Sequence, residues 1–335
     1  MAITVTVAAF CNRDLQTNLG ILCLLFPSKN ENYYICLQIN KMQKYLPILF
    51  VFSLLLSCIS VSKKEGGDKK GLLTVTIEPQ RYFLEQIVGD TYKINTLVPP
   101  GTSPETYEPA PSVMLEMAKS KIYFKVGDLG FERAWSRRLA ENNPDVKIVD
   151  CSEGIDLMEG HLHNHAGSGH NHSQESMDPH VWSSPKAVKI FAQNMLEALI
   201  SEDHENEDLY RDNFERFMVK VNNTDSLINN ALENVPVRSF IIFHPALSYF
   251  ANDYNLHQLS IEFEGKNPSL SQIRDLVDVA REENINTLFI QKGYDIKNAK
   301  VIASEVGAEI FEIDLLSYNW DEELIRIAEI LSRED

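Results

Sequence analysis

The sequence predicts an α/β protein of two domains, and three observations carry that expectation. From Leu72 onward, strand-like and helix-like segments follow one another in strict turn. A helical stretch of unusual length, from about Glu205 to Leu232, divides this alternation into two sets. With 335 residues and 44% apolar content, the chain can bury one large or two medium cores.

The β-branched run Leu73 to Ile77 opens the first set as a strand, and Pro79 to Val88 has the apolar spacing of a helix. Lys93 to Val98 reads as the second strand. Ser112 to Ser120 reads as a helix, with Ser112 as its cap and Glu116 in range of the first turns. Ile122 to Val126, Phe131 to Asn142 and Lys147 to Asp150 then give strand, helix and strand. Such regular alternation implies parallel βαβ units with right-handed crossovers.

Ser184-Pro185 opens a helix that continues to about Ile200. The long stretch behind it would span about 40 Å at 1.5 Å per residue, more than a crossover requires and enough to tie two lobes rigidly. The alternation then resumes. Ser239 to Phe243, Gln258 to Ile261, Thr287 to Gln291 and Glu309 to Ile313 read as strands. Helices fall near Pro245 to Tyr254, Ser271 to Glu283, Ile296 to Val306 and Asp321 to Ser332. The architecture repeats without any internal repeat of sequence.

The start of the chain reads as export machinery. Lys41-Met-Gln-Lys44 precedes an apolar run from Tyr45 to Leu56 and then Ser57-Cys58: a basic start, a short apolar core and a small residue at the cut. The run is too short for a comfortable membrane span. Leu55-Leu-Ser-Cys58 resembles a bacterial lipobox, in which the cysteine after the cut carries the lipid. Residues 58–71, rich in Ser, Lys and Gly, would be a flexible tether. Met42 then reads as the initiator, residues 42–57 as the signal peptide, and residues 1–41 as a mis-called extension whose apolar stretch Ile21 to Phe26 has no evident role. Of the cysteines Cys11, Cys23, Cys36, Cys58 and Cys151, the mature chain would keep two. An acylated Cys58 leaves Cys151 without a partner, so the fold must stand without disulfides in an oxidising compartment.

Composition excludes one class of partner. A net charge of −17 disfavours nucleic acid, whose phosphates demand clustered Lys and Arg. Metal capture is favoured instead. Five of the nine histidines (His161, His163, His165, His170 and His172) fall in twelve residues spaced by Gly, Ser and Asn. With almost nothing apolar to bury, residues 161–172 read as a surface loop whose imidazoles bind transition-metal ions.

Four further residues fall at the carboxyl ends of expected strands or in the loops behind them, where open α/β sheets bind ligands. Glu105 sits in a proline-stiffened loop, His180 in Asp-Pro-His-Val-Trp182, His244 behind Ser239 to Phe243, and Asp314 behind Glu309 to Ile313. Two imidazoles and two carboxylates can complete a four-coordinate shell for a divalent ion without a water ligand. Glu108 is an alternative to Glu105. Asp178, two residues from His180, is placed to orient that ring, and Tyr107 and Trp182 to wall the site.

The stretches Gly-Thr-Ser-Pro-Glu-Thr-Tyr-Glu-Pro-Ala-Pro-Ser112, Asp-Pro-His-Val-Trp182, Phe-His-Pro-Ala-Leu-Ser-Tyr249, Ile261-Glu-Phe-Glu-Gly-Lys-Asn-Pro-Ser269 and Glu312-Ile-Asp-Leu-Leu316 resemble, in order and spacing, the metal-specific zinc/manganese solute-binding lipoproteins of bacterial ABC importers. The resemblance runs from about Leu72 to the C-terminus. It implies two Rossmann-like (β/α)4 lobes joined by a long rigid backbone helix, with metal in the interlobe cleft. The lobes would be 72–203 and 234–335, joined by the helix 204–233. It also implies Glu105, His180, His244 and Asp314 as metal ligands, and an ABC permease with its ATPase as partners. The chain would be a monomer anchored to the membrane through its lipid alone, at the periplasm or cell surface.

Two departures bear on the ion. Many relatives have histidine where this chain has Glu105, and their leucine-aspartate-proline-leucine is Ile313-Asp-Leu-Leu316 here. Oxygen ligands favour Mn2+, whereas affinity order and the histidine loop favour Zn2+, the ion expected. The rival classes are a zinc hydrolase and a surface adhesin. No His-Glu-x-x-His helix or nucleophile elbow supports the first, and no recognisable adhesive segment supports the second.

Overall fold

In a computed structural model of the chain, the described residues are 21–27, 32–38, 69–160, 177–262 and 268–333. The chain divides into two compact units, 1–65 and 66–335. In the first, β1 (Ile21–Pro27) and β2 (Asn32–Gln38) form an antiparallel pair, with Leu24 opposite Ile35 and Phe26 opposite Tyr33. Sequence reading assigned this stretch no role. Its leucines, tyrosines and phenylalanine are residues that suit a strand. Met42, the signal segment 42–57 and Cys58 lie outside the described residues.

The second unit opens with a parallel sheet of β3 (Leu72–Val75), β4 (Lys93–Thr96), β5 (Ser120–Lys125) and β6 (Lys147–Asp150), in the order β4-β3-β5-β6. It closes with a second, of β7 (Ser239–Ile242), β8 (His257–Ser260), β9 (Thr287–Gln291) and β10 (Glu309–Ile313), in the order β8-β7-β9-β10. Numbered within its own sheet, each has the order 2-1-3-4. The repeated architecture is therefore a repeated topology, with its switch point between the first and third strands of each sheet.

Helices α1 (Glu78–Val88), α2 (Pro111–Met117) and α3 (Gly130–Asn142) belong to the first half. Ser112 is not the cap of α2: Ala110 holds that position and Pro111 begins the helix, because the fixed φ of proline suits a first turn. The α4 helix (Pro185–Glu202) does begin at a capping serine, whose Ser184 hydroxyl accepts from the Ala187 amide at 3.0 Å.

A 3-10 turn, His204–Asn206, leads into the long helix α5 (Glu207–Leu232). Its 26 residues bury Tyr210, Phe214, Phe217, Val221, Thr224, Ile228 and Leu232, a stripe at three- and four-residue spacing. Behind it lie α6 (Ser248–Asp253), α7 (Leu270–Glu282), α8 (Ile296–Val306) and α9 (Trp320–Leu331). Helices α1, α4 and α9 pack on α5, so it touches elements of both halves.

The tryptophans stitch the halves together. Trp182 Nε1 donates to the Leu315 carbonyl at 2.9 Å, and Trp320 Nε1 to the Trp182 carbonyl at 2.6 Å. The Trp320 ring meets Phe83 edge-on, with centroids 5.2 Å apart. One core cluster runs from Leu73 through Phe83, Phe191 and Phe217 to Phe240 and Ile327. Each large aromatic buried there stabilises the fold by about 2–3 kcal/mol relative to exposure, so the joint behind the cleft is held by core packing as well as by one helix.

Candidate metal centre

The cleft face of the second unit holds a cavity of about 690 Å3 lined from both halves, including Glu105, His180, His244 and Asp314. Three of these converge. Ligand atoms of Glu105, His180 and His244 lie within 4.8 Å of one another. His180 Nε2 stands 4.0 Å from Glu105 Oε1, and the two imidazole centroids are 5.1 Å apart. Donors around a tetrahedral ion with bonds of 2.0–2.1 Å sit roughly 3.4 Å apart. The His180–Glu105 pair thus needs to close by roughly half an ångström, and no pair in the group by more than about 1.4 Å, to fit zinc.

Each donor is fixed by one polar atom and offers the other. His180 follows the loop that leads to α4; its Nδ1 lies 2.7 Å from Asp178 Oδ1, and its amide donates to the same oxygen at 2.9 Å. The Tyr249 hydroxyl holds the Asp178 carbonyl at 2.7 Å. Burial alone would push the His180 imidazole down and the Asp178 carboxyl up. Their mutual attraction overrides both, leaving His180 above and Asp178 below the ordinary range.

His244 follows β7. Its Nδ1 lies 2.6 Å from Glu262 Oε2, and its amide donates to Gln291 Oε1 at 3.2 Å. Its ring stacks on Tyr294, whose phenol is pushed up to about 12 chiefly by burial, so that neighbour adds no charge. Glu105 lies in the loop behind β4 and takes the Gly130 amide on Oε2 at 3.3 Å. Glu105 Oε1 and His244 Nε2 are buried and have no partner. A buried polar atom without a hydrogen bond costs free energy, about 1–3 kcal/mol. A divalent cation at their meeting point would remove that cost, so these residues fit the ion.

Asp314 lines the same cavity without joining the convergent group. Its Oδ2 lies 3.3 Å from Lys292 Nζ, and its Oδ1 accepts from the Leu316 amide at 3.2 Å. Glu108 is exposed and outside the cavity lining, so Glu105 is the carboxylate that reaches the group. Trp182 does line the cavity. Tyr107 does not; it packs on Phe131 with centroids 5.6 Å apart.

Sequence reasoning assigned Asp178 to His180 and missed Glu262 as the partner of His244. Strand order hides it: Glu262 follows β8, which is β7's neighbour only because the sheet is ordered 2-1-3-4. An isolated bridge between Glu159 and Met177 brings together the two ends of the histidine-rich segment, whose His161, His163, His165, His170 and His172 lie outside the described residues.

The family model for ZnuA, the periplasmic component A of the zinc-uptake complex, matches residues 73–324. The chain belongs to this family. Among relatives, the high-affinity zinc uptake system protein ZnuA of Bacillus subtilis is 28% identical over 267 residues, spanning 77% of this chain and 83% of that protein. The manganese ABC transporter substrate-binding lipoprotein PsaA of Streptococcus pneumoniae is 25% identical over 277 residues, spanning 79% and 85%. A crystal structure of ZnuA superposes with a TM-score of 0.72 at 34% identity, over 78% of this chain and 97% of that one. The two-lobed α/β architecture expected from sequence is that of the family.

Proposed function

We propose that this chain captures Zn2+ outside the cytoplasm and delivers it to an ABC permease and its ATPase. The observation that supports this most is the convergence of two carboxylate-braced imidazoles and one carboxylate, two of their atoms buried with nothing to bind. The role is binding without chemistry on the ion. Asp314 is the fourth ligand: its ion pair with Lys292 is exposed, and such pairs are worth at most about 1 kcal/mol, too little to hold it from a dication. Asp178 and Glu262 orient the two rings.

The zinc relative above and the imidazole donors support Zn2+. The second carboxylate supports Mn2+ as the alternative cargo, as the manganese relative does. Cys58 carries the lipid that tethers the chain to the membrane. The segment 161–172 serves as a low-affinity metal collector or sensor.

The test is competitive titration of the metal-stripped protein with zinc and manganese at controlled free concentrations. One tight zinc equivalent with weaker loop sites is the expected result. Tight manganese with labile zinc would move the cargo to Mn2+, and the lack of any tight site would sink the importer reading.

A further inference from the structure

We propose that Gly130 is a positioning residue for the metal carboxylate: the space left by its missing side chain lets Glu105 present Oε1 to the ion. The proposal rests on the reading of Glu105 as a ligand. Gly130 is the first residue of α3, and its φ is not positive, so what it supplies is room rather than an unusual backbone conformation. A Cβ there would stand 2.5 Å from the Glu105 carbonyl oxygen, 3.2 Å from its carbonyl carbon and 2.9 Å from Oε2. The nearest clash is with backbone, so a side chain at 130 must displace the loop that carries the ligand.

The contact also divides the work of the carboxylate. The Gly130 amide donates to Glu105 Oε2 at 3.3 Å, and the next amide, of Phe131, donates to the Pro104 carbonyl at 3.3 Å. Two orphan donors of the α3 N-terminus thereby hold consecutive residues of the loop, with the positive end of the helix behind the carboxylate. Oε2 is occupied by the protein. Oε1 is left buried and free, 4.0 Å from His180 Nε2.

At a first helical position with open space, Gly→Ala is neutral or stabilising. Here Gly130→Ala is expected to weaken zinc binding by about 10–100-fold, the usual cost of disturbing a ligand's support. The experiment measures zinc affinity and thermal stability for wild type, G130A, E105A and G130A/E105A. The expected result is a large loss in G130A that vanishes in the E105A background, because the glycine then has no ligand to position. Wild-type affinity in G130A, or an equal loss in both backgrounds, would overturn the proposal. Lack of tight zinc in wild type would instead reject the site itself.

Should G130A fail to fold, a glycine-labelled amide spectrum of the folded protein decides. The Gly130 resonance is expected to move in Glu105→Gln and on zinc addition. A resonance unmoved by both would overturn the proposal.

Discussion

The two halves share a topology but hold their proposed ligands differently. On the first half, His180 and Asp178 are 8% and 4% exposed, and Glu105 is pinned to the start of α3. On the second half, His244 and Glu262 are 17% and 16% exposed, while Asp314 and Lys292 reach 36% and 58%. A buried pair is screened little and costs much to break; an exposed pair yields at little cost. Glu105, 24% exposed, is the looser residue of the first half, so in the proposed site the His180–Asp178 pair is the firmest support and the Asp314–Lys292 pair the one best able to adjust.

The largest effects should expose this asymmetry directly. His180→Ala and His244→Ala are both expected to lower zinc affinity by more than about 100-fold, above the range for supporting residues. Only His180→Ala should also unfold easily, losing up to about 3–5 kcal/mol because the buried Asp178 carboxylate loses its imidazole and keeps only neutral donors such as the amide at 180. Thermal melts of the two metal-free variants check this, and equal losses of stability would remove the asymmetry.

One step smaller, Asp178→Asn and Glu262→Gln each remove the charge that orients a ring. Both are expected to cost within about 10–100-fold in affinity, with Asp178→Asn nearer the upper end. Isothermal titration of the pair sharpens the comparison, and a greater loss in Glu262→Gln would reverse it.

The first half also has a charged brace against the long helix. Burial disfavours the Asp203 carboxylate, but Lys70 Nζ at 2.7 Å, with Asn206 and Tyr210, overrides this and holds its pKa at about 2. A depressed folded pKa stabilises the fold above the unfolded value and is lost as pH falls from about 4 to 2. The expected contribution is about 2 kcal/mol. Acid denaturation of Asp203→Asn against wild type measures it: the two curves should converge at the acid end.

The smallest effect belongs to the exposed pair. Lys292→Met frees Asp314 and should raise metal affinity by at most about fivefold, the worth of one exposed ion pair. The same variant combined with Asp314→Asn should show no gain. A gain that survives in the double variant would mean that Lys292 acts on the ion directly.

Much of this was legible in the chain because the signals were local. Strand and helix alternation placed nearly every element, and His180, His244 and Glu105 were marked by their position behind strands. What escaped was set by distant contacts. Glu262 reaches His244 only through the order of the second sheet, and the demand for Gly130 arises from Glu105, far away in sequence. Lys292 follows β9, outside every motif, yet meets Asp314 behind β10 because the two strands are neighbours. The cap of α2 falls two residues before Ser112, because Pro111 starts the helix.

The most direct test of the central claim is zinc K-edge X-ray absorption on the protein carrying one equivalent of zinc. Two imidazole nitrogens and carboxylate oxygen are expected at about 2.0–2.1 Å, with no sulfur at about 2.3 Å. Three or more imidazoles on the first equivalent would place the ion in the histidine-rich segment and contradict the assignment of Glu105, His180 and His244 as the tight site.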